Sequence, residues 1–442
     1  MAYPPAGTGN ETVRPLSTAQ RAFWDKQAAD GDGDSSGIIV GLSIDIFAPV
    51  DPQQFRAAAQ ALLDQSDALR TSFSRSRGVL SQVVTHHVPV SFRAVDLSGP
   101  TESDESRQRV VEEWGHTPFD LAVPPLVDHL LVCVAPDHWT WHCRCHHLVI
   151  DASGAAVGVA AILEAYASLL AGAAPDLSYL RSYADFLDSD EAYVDSDRYR
   201  ADLAYWLARH ATPSERLFGP GQGAPQRVTP RQRVVNREQY ERLLEACRVN
   251  DVQPFHAFVS ALGALAYRMF DRSTLSLGLA THNRTTEAER HTVGLLAGTM
   301  AFRLEIDPRE TLAELARRAS KQLRRDYRHA RLPLNHLADA IGVARTPLFD
   351  LALSFQPASF EMDVGGARVR LRSGIFAGTD TEPAAIHIRD PQGDSPLGVD
   401  LTHCPDLVSS NDAVRFYEAF VNLLERWPDM ADTSVAELTL EA

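Results

Sequence analysis

The chain has 442 residues, 45% of them hydrophobic and 23% charged, with a formal net charge of −16. This is the composition of a globular protein with a sizeable core, and it excludes bulk disorder. The acidic balance argues against nucleic acid and anionic membrane surfaces as partners, because both need clustered Lys and Arg. An acidic protein partner would be repelled at long range, so its docking needs a local apolar or basic patch. No apolar run reads as a membrane span, and no basic-then-apolar leader opens the chain. The five cysteines, Cys133, Cys143, Cys145, Cys247 and Cys404, lack a framework spacing, which places the chain in the cytoplasm.

Met1 to Thr12 reads as a loose polar tail. Leu16 to Ala29 predicts a helix with Ser17 or Thr18 as its cap, and Ile38 to Phe47 a strand. Asp51-Pro52 is a capping Asp followed by Pro at the first helical position, opening a helix to about Gln65. Leu80 to Arg93 reads as strands, Leu126 to Ala135 and His138 to His147 as two strands joined at Pro136-Asp137, and Gly154 to Leu170 as a buried apolar helix. Tyr183 to Ala208 predicts a surface helix pair linking two halves, and Glu215 to Arg231 a loop. The second half predicts a strand near Val234, helices Glu238 to Arg248 and Pro254 to Phe270, strands Leu275 to Ala280 and Thr299 to Ile306, and a helix Leu312 to His329. A strand Phe349 to Phe355, two strand pairs and a final helix Asp412 to Trp427 complete it. The alternation predicts a mixed α/β (α+β) fold in two domains, 1–187 and 188–442.

Chemistry concentrates in His138 to Ala155. On a strand, Trp139, Trp141, Cys143, Cys145 and His147 share one face, and Thr140, His142, Arg144 and His146 the other. His147 falls at the strand end, where a side chain projects into a cleft and a neutral imidazole can take a proton from an attacking amine or hydroxyl. Asp151 and Ser153 lead into a helix whose N-terminal N–H groups suit a developing oxyanion. On residue types alone, ordinary strand histidines and a helix-capping Asp151 are the favoured explanation of the segment, since the chain has 16 histidines. A zinc site of His142, His146, His147 and Asp151 is disfavoured by the opposed faces. Cys143-Arg144-Cys145 has no second Cys pair to complete a metal site.

His146-His147-Leu148-Val149-Ile150-Asp151-Ala152 resembles the HHxxxDG motif of the condensation domains of nonribosomal peptide synthetases and of chloramphenicol acetyltransferase-like acyltransferases. Other segments resemble that family in family order. They are LSTAQRAFW from Leu16, DALRTSF from Asp67, PFDL from Pro118 with Pro125-Leu126, and SYADF from Ser182. VGLLAGTMAFR from Val293, His329 with Pro333, and RTPLF from Arg345 with Gln356 follow. Ala152 replaces the motif's Gly and narrows the space beside His147. Gly298 stands for the usual Asn, Ala301 for Pro, Asp67 for Glu and Asp128 for a frequent Arg; together these departures point to a specialised member with unusual substrates. Tyr183 to Trp206 and His282-Asn283-Arg284 are similar to domains that use starter acyl groups in siderophore assembly, and to free-standing amide synthases.

The resemblance implies two acetyltransferase-like lobes arranged as a V, with His147 in the tunnel between them. A donor acyl or peptidyl carrier protein would bring an acyl thioester on its phosphopantetheine arm, and the chain itself would bind no cofactor and no metal. The acceptor would be a small molecule or carrier-bound amine or hydroxyl, and the protein a monomer with no nucleic-acid or membrane partner. His147 is the expected catalytic residue, with His146, Asp151, Arg70, Ala152 and Ser153 supporting it and Asp151 paired with Arg70. Gly298, Thr299, Ser354, Gln356 and Trp141 are expected along the tunnel. Gly393-Asp394-Ser395 resembles a carrier protein's modified serine but reads as a hairpin turn. Met1 and the short tail favour a free-standing enzyme. The alternatives are an acyl-coenzyme A-dependent acyltransferase of the same fold, a non-catalytic recruiting domain and an epimerase.

Overall fold

A computed structural model describes residues 11–29, 38–76, 79–212, 215–222, 230–343, 348–357, 361–378, 382–390 and 395–440. The chain divides into two compact units. Unit 1 takes Met1–Asp195, His282–Ala297 and Ser359–Gly378; unit 2 takes Ser196–Thr281, Gly298–Ala358 and Thr379–Ala442. A linear division at 187/188 misses the two segments that return to unit 1.

Unit 1 is built on a six-stranded sheet in the order Glu361–Val364, Ala367–Gly378, Ile38–Phe47, His138–His146, Val127–Ala135, Ser91–Asp96. The strand Ala367–Gly378 returns because it pairs antiparallel along the whole of Ile38–Phe47. Every pair is antiparallel except the last, Ser91–Asp96 beside Val127–Ala135. A three-stranded sheet of Glu11–Arg14, Val79–Thr85 and Thr71–Ser76 completes the unit's strands. Glu11 and Thr12 are thus strand, not tail.

Helix Pro52–Gln65 starts as its sequence dictates: Asp51 accepts from the N–H groups of Gln53 and Gln54. Its buried Phe55, Leu62 and Leu63 share one core with Trp141 on the sheet and Val159, Ile162 and Tyr166 of helix Ala152–Leu170. That second helix is long and apolar enough to cross a membrane by length and composition. Its apolar face is buried in this core instead, and the Tyr166 hydroxyl accepts from the Asp51 N–H at 2.9 Å. Helix Asp104–Gly115 escaped the sequence reading, because its charged face carries a single buried anchor, Trp114.

Unit 2 holds a second six-stranded mixed sheet, in the order Gly298–Glu305, Thr274–Thr281, Leu351–Pro357, Ala384–Asp390, Leu397–His403, Arg231–Val235. Leu351–Pro357 runs parallel to both its neighbours. The core gathers the fully buried Phe258, Phe302, Phe416, Phe420 and Trp427 from sheet and helices. Helix Asp197–Arg209 belongs to this core rather than to a surface linker, because Trp206 is buried and its indole N–H donates to the His329 carbonyl at 2.8 Å.

Candidate active site

Strand His138–His146 puts Trp141, Cys143 and Cys145 into the core of unit 1 and ends at His146. The chain then tightens into a 3-10 turn, His147–Val149. His146 is fully buried, and its Nδ1 accepts from the Leu148 N–H at 3.2 Å, so it caps the turn. The Gln20 side chain donates to the Leu148 carbonyl at 3.0 Å and shares an amide pair with Gln82. His147 is half-buried and its ring stacks on Phe23, with centroids 4.6 Å apart. The first-motif segment therefore holds both the backbone of the turn and the imidazole.

Asp151 is 2% exposed and serves two ends of the site. Its Oδ1 accepts from the Gly154 N–H at 2.7 Å, capping helix Ala152–Leu170. Its Oδ2 accepts from Arg284 Nη1 and from the N–H groups of Leu296 and Ala297, each at 2.8 Å. Arg284, 4% exposed, also donates to the carbonyls of His282, Thr292 and Gly294. One buried ion pair thus ties the returning segment His282–Ala297 to the motif loop. A Cβ on Gly154 would lie 2.8 Å from the Gly294 carbonyl oxygen, so glycine is required at this close approach. The Tyr183 hydroxyl donates to the Leu295 carbonyl at 2.9 Å and closes the other side.

These contacts correct three expectations. Asp151 pairs with Arg284, not Arg70; the Arg70 guanidinium donates to the carbonyls of Leu63, Thr85 and His86 and ties a turn to a strand end. At the helix N-terminus after Asp151, the Gly154 N–H is taken by Asp151 and Gly294 packs against Gly154, with Ala152 exposed and Ser153 half-buried at its edge. Ala152 sits at the first helical position, where its methyl is tolerated and points to solvent. Trp141 is core, not a lining for substrate: it is fully buried, donates to His129 Nδ1 at 3.2 Å, and borders an apolar cavity of about 30 Å³.

Gly298 and Thr299 open a strand of unit 2 and pair with Thr281 and Ala280; Ser354 pairs with His387 in the same sheet, and all three are half-buried. The Gln356 side chain, Arg345 and the Gly393-Asp394 turn lie outside the described residues. Among the described residues, no group of three or more His, Cys, Asp or Glu is placed to hold a metal ion. Sequence reading missed Arg284, Gln20 and Phe23 as site residues. Arg284 stood in the singled-out His282-Asn283-Arg284, and Gln20 and Phe23 in the first motif, but spacing alone could not pair them with residues 124–133 positions away.

A family model described as "Condensation domain" matches residues 10–373. Surfactin synthase subunit 1 of Bacillus subtilis (strain 168) is 23% identical over 97% of this chain. A probable non-canonical nonribosomal peptide synthetase of Salinispora arenicola (strain CNS-205) is 27% identical over 97% of it. The chain spans 12% and 6% of the lengths of these two relatives. The starter condensation domain of rhizomide synthetase superposes with a TM-score of 0.85 at 24% identity, covering 97% of this chain and 98% of that one. The first condensation domain of the calcium-dependent antibiotic synthetase also gives 0.85, at 23% identity, covering 98% and 99%. Condensation domains are acyltransferases that form amide bonds in nonribosomal peptide synthesis from carrier-bound substrates, and the chain belongs to that family.

Proposed function

We propose that this chain transfers an acyl or aminoacyl group from the phosphopantetheine thioester of a donor carrier protein to an amine or hydroxyl acceptor, forming an amide or ester. The acceptor attacks the thioester carbonyl while His147 takes its proton or holds it in line. The tetrahedral intermediate collapses with loss of the pantetheine thiolate, and the proton returns to sulfur. Aminolysis of a thioester is downhill, so alignment of donor and nucleophile supplies much of the rate. The observation that carries the reading is a half-buried imidazole stacked on Phe23 at the start of an otherwise buried, braced turn. His146, buried and spent on capping the turn, supports rather than reacts.

Asp151 and Arg284 hold the loop and do not touch the reacting atoms in this reading. The phosphopantetheine arm belongs to the carrier. The test is intact-protein mass spectrometry of acyl-loaded carrier proteins incubated with wild type and His147→Ala. Unloading by wild type alone supports the assignment, and equal unloading by both sinks it. A second reading is favoured by one observation: the rhizomide starter domain was captured with C8-CoA and Leu-SNAC. The same assay with an acyl-coenzyme A donor separates the two.

A further inference from the structure

Some exposed arginines of this acidic protein, Arg248, Arg290 and Arg309 among them, each pair with a carboxylate two or three residues away. Helix Leu312–Asp326 of unit 2 and the 3-10 turn Tyr327–His329 that follows it carry a cluster of cations that are not paired in this way. The helix buries Leu312, Leu315, Ala316, Ala319 and Leu323. At 100° per residue, Lys321, Arg324, Arg325 and Arg328 fall on the opposite face, and all four are exposed. Among the described residues none of these four side chains has a carboxylate partner, whereas Arg318, one turn earlier, pairs with Glu310 at 2.6 Å. Asp326 is fully buried and turned to Tyr205, and Glu314 is spent on capping Thr311 two turns away.

Cations in the last helical turn complement the helix dipole, which accounts for Arg324 and Arg325. It does not account for Lys321 a turn before or Arg328 beyond the end. Like charges at i and i+4, as in Lys321/Arg325 and Arg324/Arg328, destabilise a helix. Tyr327, 47% exposed, sits among them and supplies the aromatic anchor that protein interfaces favour.

We propose that the face carrying Lys321, Arg324, Arg325, Tyr327 and Arg328 is the docking surface for an acidic face of the donor carrier protein. The proposal rests on the acyl-transfer reading above for the identity of the partner. It is carried by charge complementarity: in a chain of net charge −16, an acidic protein needs an unmasked basic patch to dock, and these residues form one. Small thioesters have no such need.

The test compares wild type with K321E/R328E and R324E/R325E in the full chain. Each is assayed on an octanoyl-loaded carrier protein encoded beside this chain's gene, and on octanoyl-N-acetylcysteamine as the small donor. Binding of the loaded carrier is measured separately by titration calorimetry. Expected is a rise of tenfold or more in KM and Kd for the carrier in both variants, with kcat and the small-donor kinetics unchanged. Carrier variants with Glu→Lys substitutions on the acidic face should restore the charge-reversed enzymes. Unchanged carrier KM, or equal losses on carrier and small donor, overturns the docking surface and leaves the acyl-transfer reading standing. Carrier binding that is lost on charge reversal, in a wild type that transfers nothing, supports the surface and sinks that reading. Failure of wild type to bind the carrier, or charge-dependent binding of a duplex DNA oligonucleotide in its place, overturns the surface.

Discussion

Asp151→Ala should unfold the braced loop rather than merely remove a reacting group. The substitution leaves Arg284, 4% exposed, without its carboxylate, and an uncompensated buried charge costs roughly 3–5 kcal/mol. It also strips the acceptor from the N–H groups of Gly154, Leu296 and Ala297. Each of those left dry adds about 1–3 kcal/mol. Whole domains are stable by about 5–15 kcal/mol, so the sum is enough to release His282–Ala297 locally or to unfold unit 1. Amide exchange reads this directly. Leu296 and Ala297 should exchange at least about 100-fold faster, the equivalent of about 3 kcal/mol, with a lowered melting temperature.

Arg284→Met should do less damage than Asp151→Ala, because Asp151 keeps its three backbone donors. The double variant Asp151→Ala/Arg284→Met should be milder than the two single losses added together, since the residues share one interaction. An Asp151→Ala protein that melts and exchanges like wild type, yet no longer unloads carriers, would refute the reasoning and move Asp151 into the chemistry.

Three further outcomes follow from individual contacts. Gly154→Ala should destabilise by about 1–3 kcal/mol in chemical denaturation, despite a helix-propensity gain of about 1 kcal/mol, because the methyl meets the Gly294 backbone at 2.8 Å; a stabilised variant would show that the segment yields. Trp141→Phe should cost about 1–2 kcal/mol of stability through lost volume and the lost bond to His129, while steady-state kinetics keep the wild-type donor and acceptor preferences; altered preference with wild-type stability would return Trp141 to the substrate path. Burial first, then the Arg303 and Arg209 charges, hold the His210 pKa below its ordinary value, and its Nε2 hydrogen donates to the Ala301 carbonyl at 3.0 Å. A depressed folded pKa means the contribution is fully present above about pH 6.5 and is lost as pH falls through 6.5 towards the folded value. The melting-temperature gap between wild type and His210→Gln should therefore narrow between pH 7.5 and 5.5, and a constant gap would contradict the assignment.

Local physics made much of the fold legible. Asp51-Pro52 and Pro254 announce helices whose starts the structure places at Pro52 and Pro254, and period-2 alternation finds His138–His146 within one residue. What depends on distant pairing was not legible. Ala367–Gly378 reads as one arm of a hairpin, and nothing in its own residues says that its other edge binds Ile38–Phe47 of unit 1. Asp151 illustrates the same limit within the site. Its type and position promise a buried ion pair, but Arg70 and Arg284 satisfy that promise equally in sequence. The choice is made by the return of His282–Ala297, which delivers two backbone N–H groups and the guanidinium to one carboxylate oxygen.

The same consideration changes what the departures from the family pattern mean. Asp67, where a Glu is usual, accepts from the Ser182 hydroxyl at 2.6 Å and from the N–H groups of Tyr183 and Ala184, so its carboxylate fixes the start of helix Tyr183–Val194. Asp128, where an Arg is frequent, pairs at 3.1 Å with Arg144, whose guanidinium lies over the rings of Trp114 and Phe119. Ala152 faces solvent at a helix start. Three of the five departures are thus absorbed by the architecture of unit 1, through a helix cap, a shielded ion pair and an exposed methyl, and they give no ground for unusual substrates. Gly298 and Ala301 remain, both on the strand Gly298–Glu305, where Ala301 is buried and Gly298 is half-buried. Any specialisation written in these five positions therefore rests on Gly298, and Gly298→Asn is the substitution by which to look for it: a changed acceptor preference at unchanged stability would locate specificity there, and unchanged kinetics would remove the last of the five from the argument.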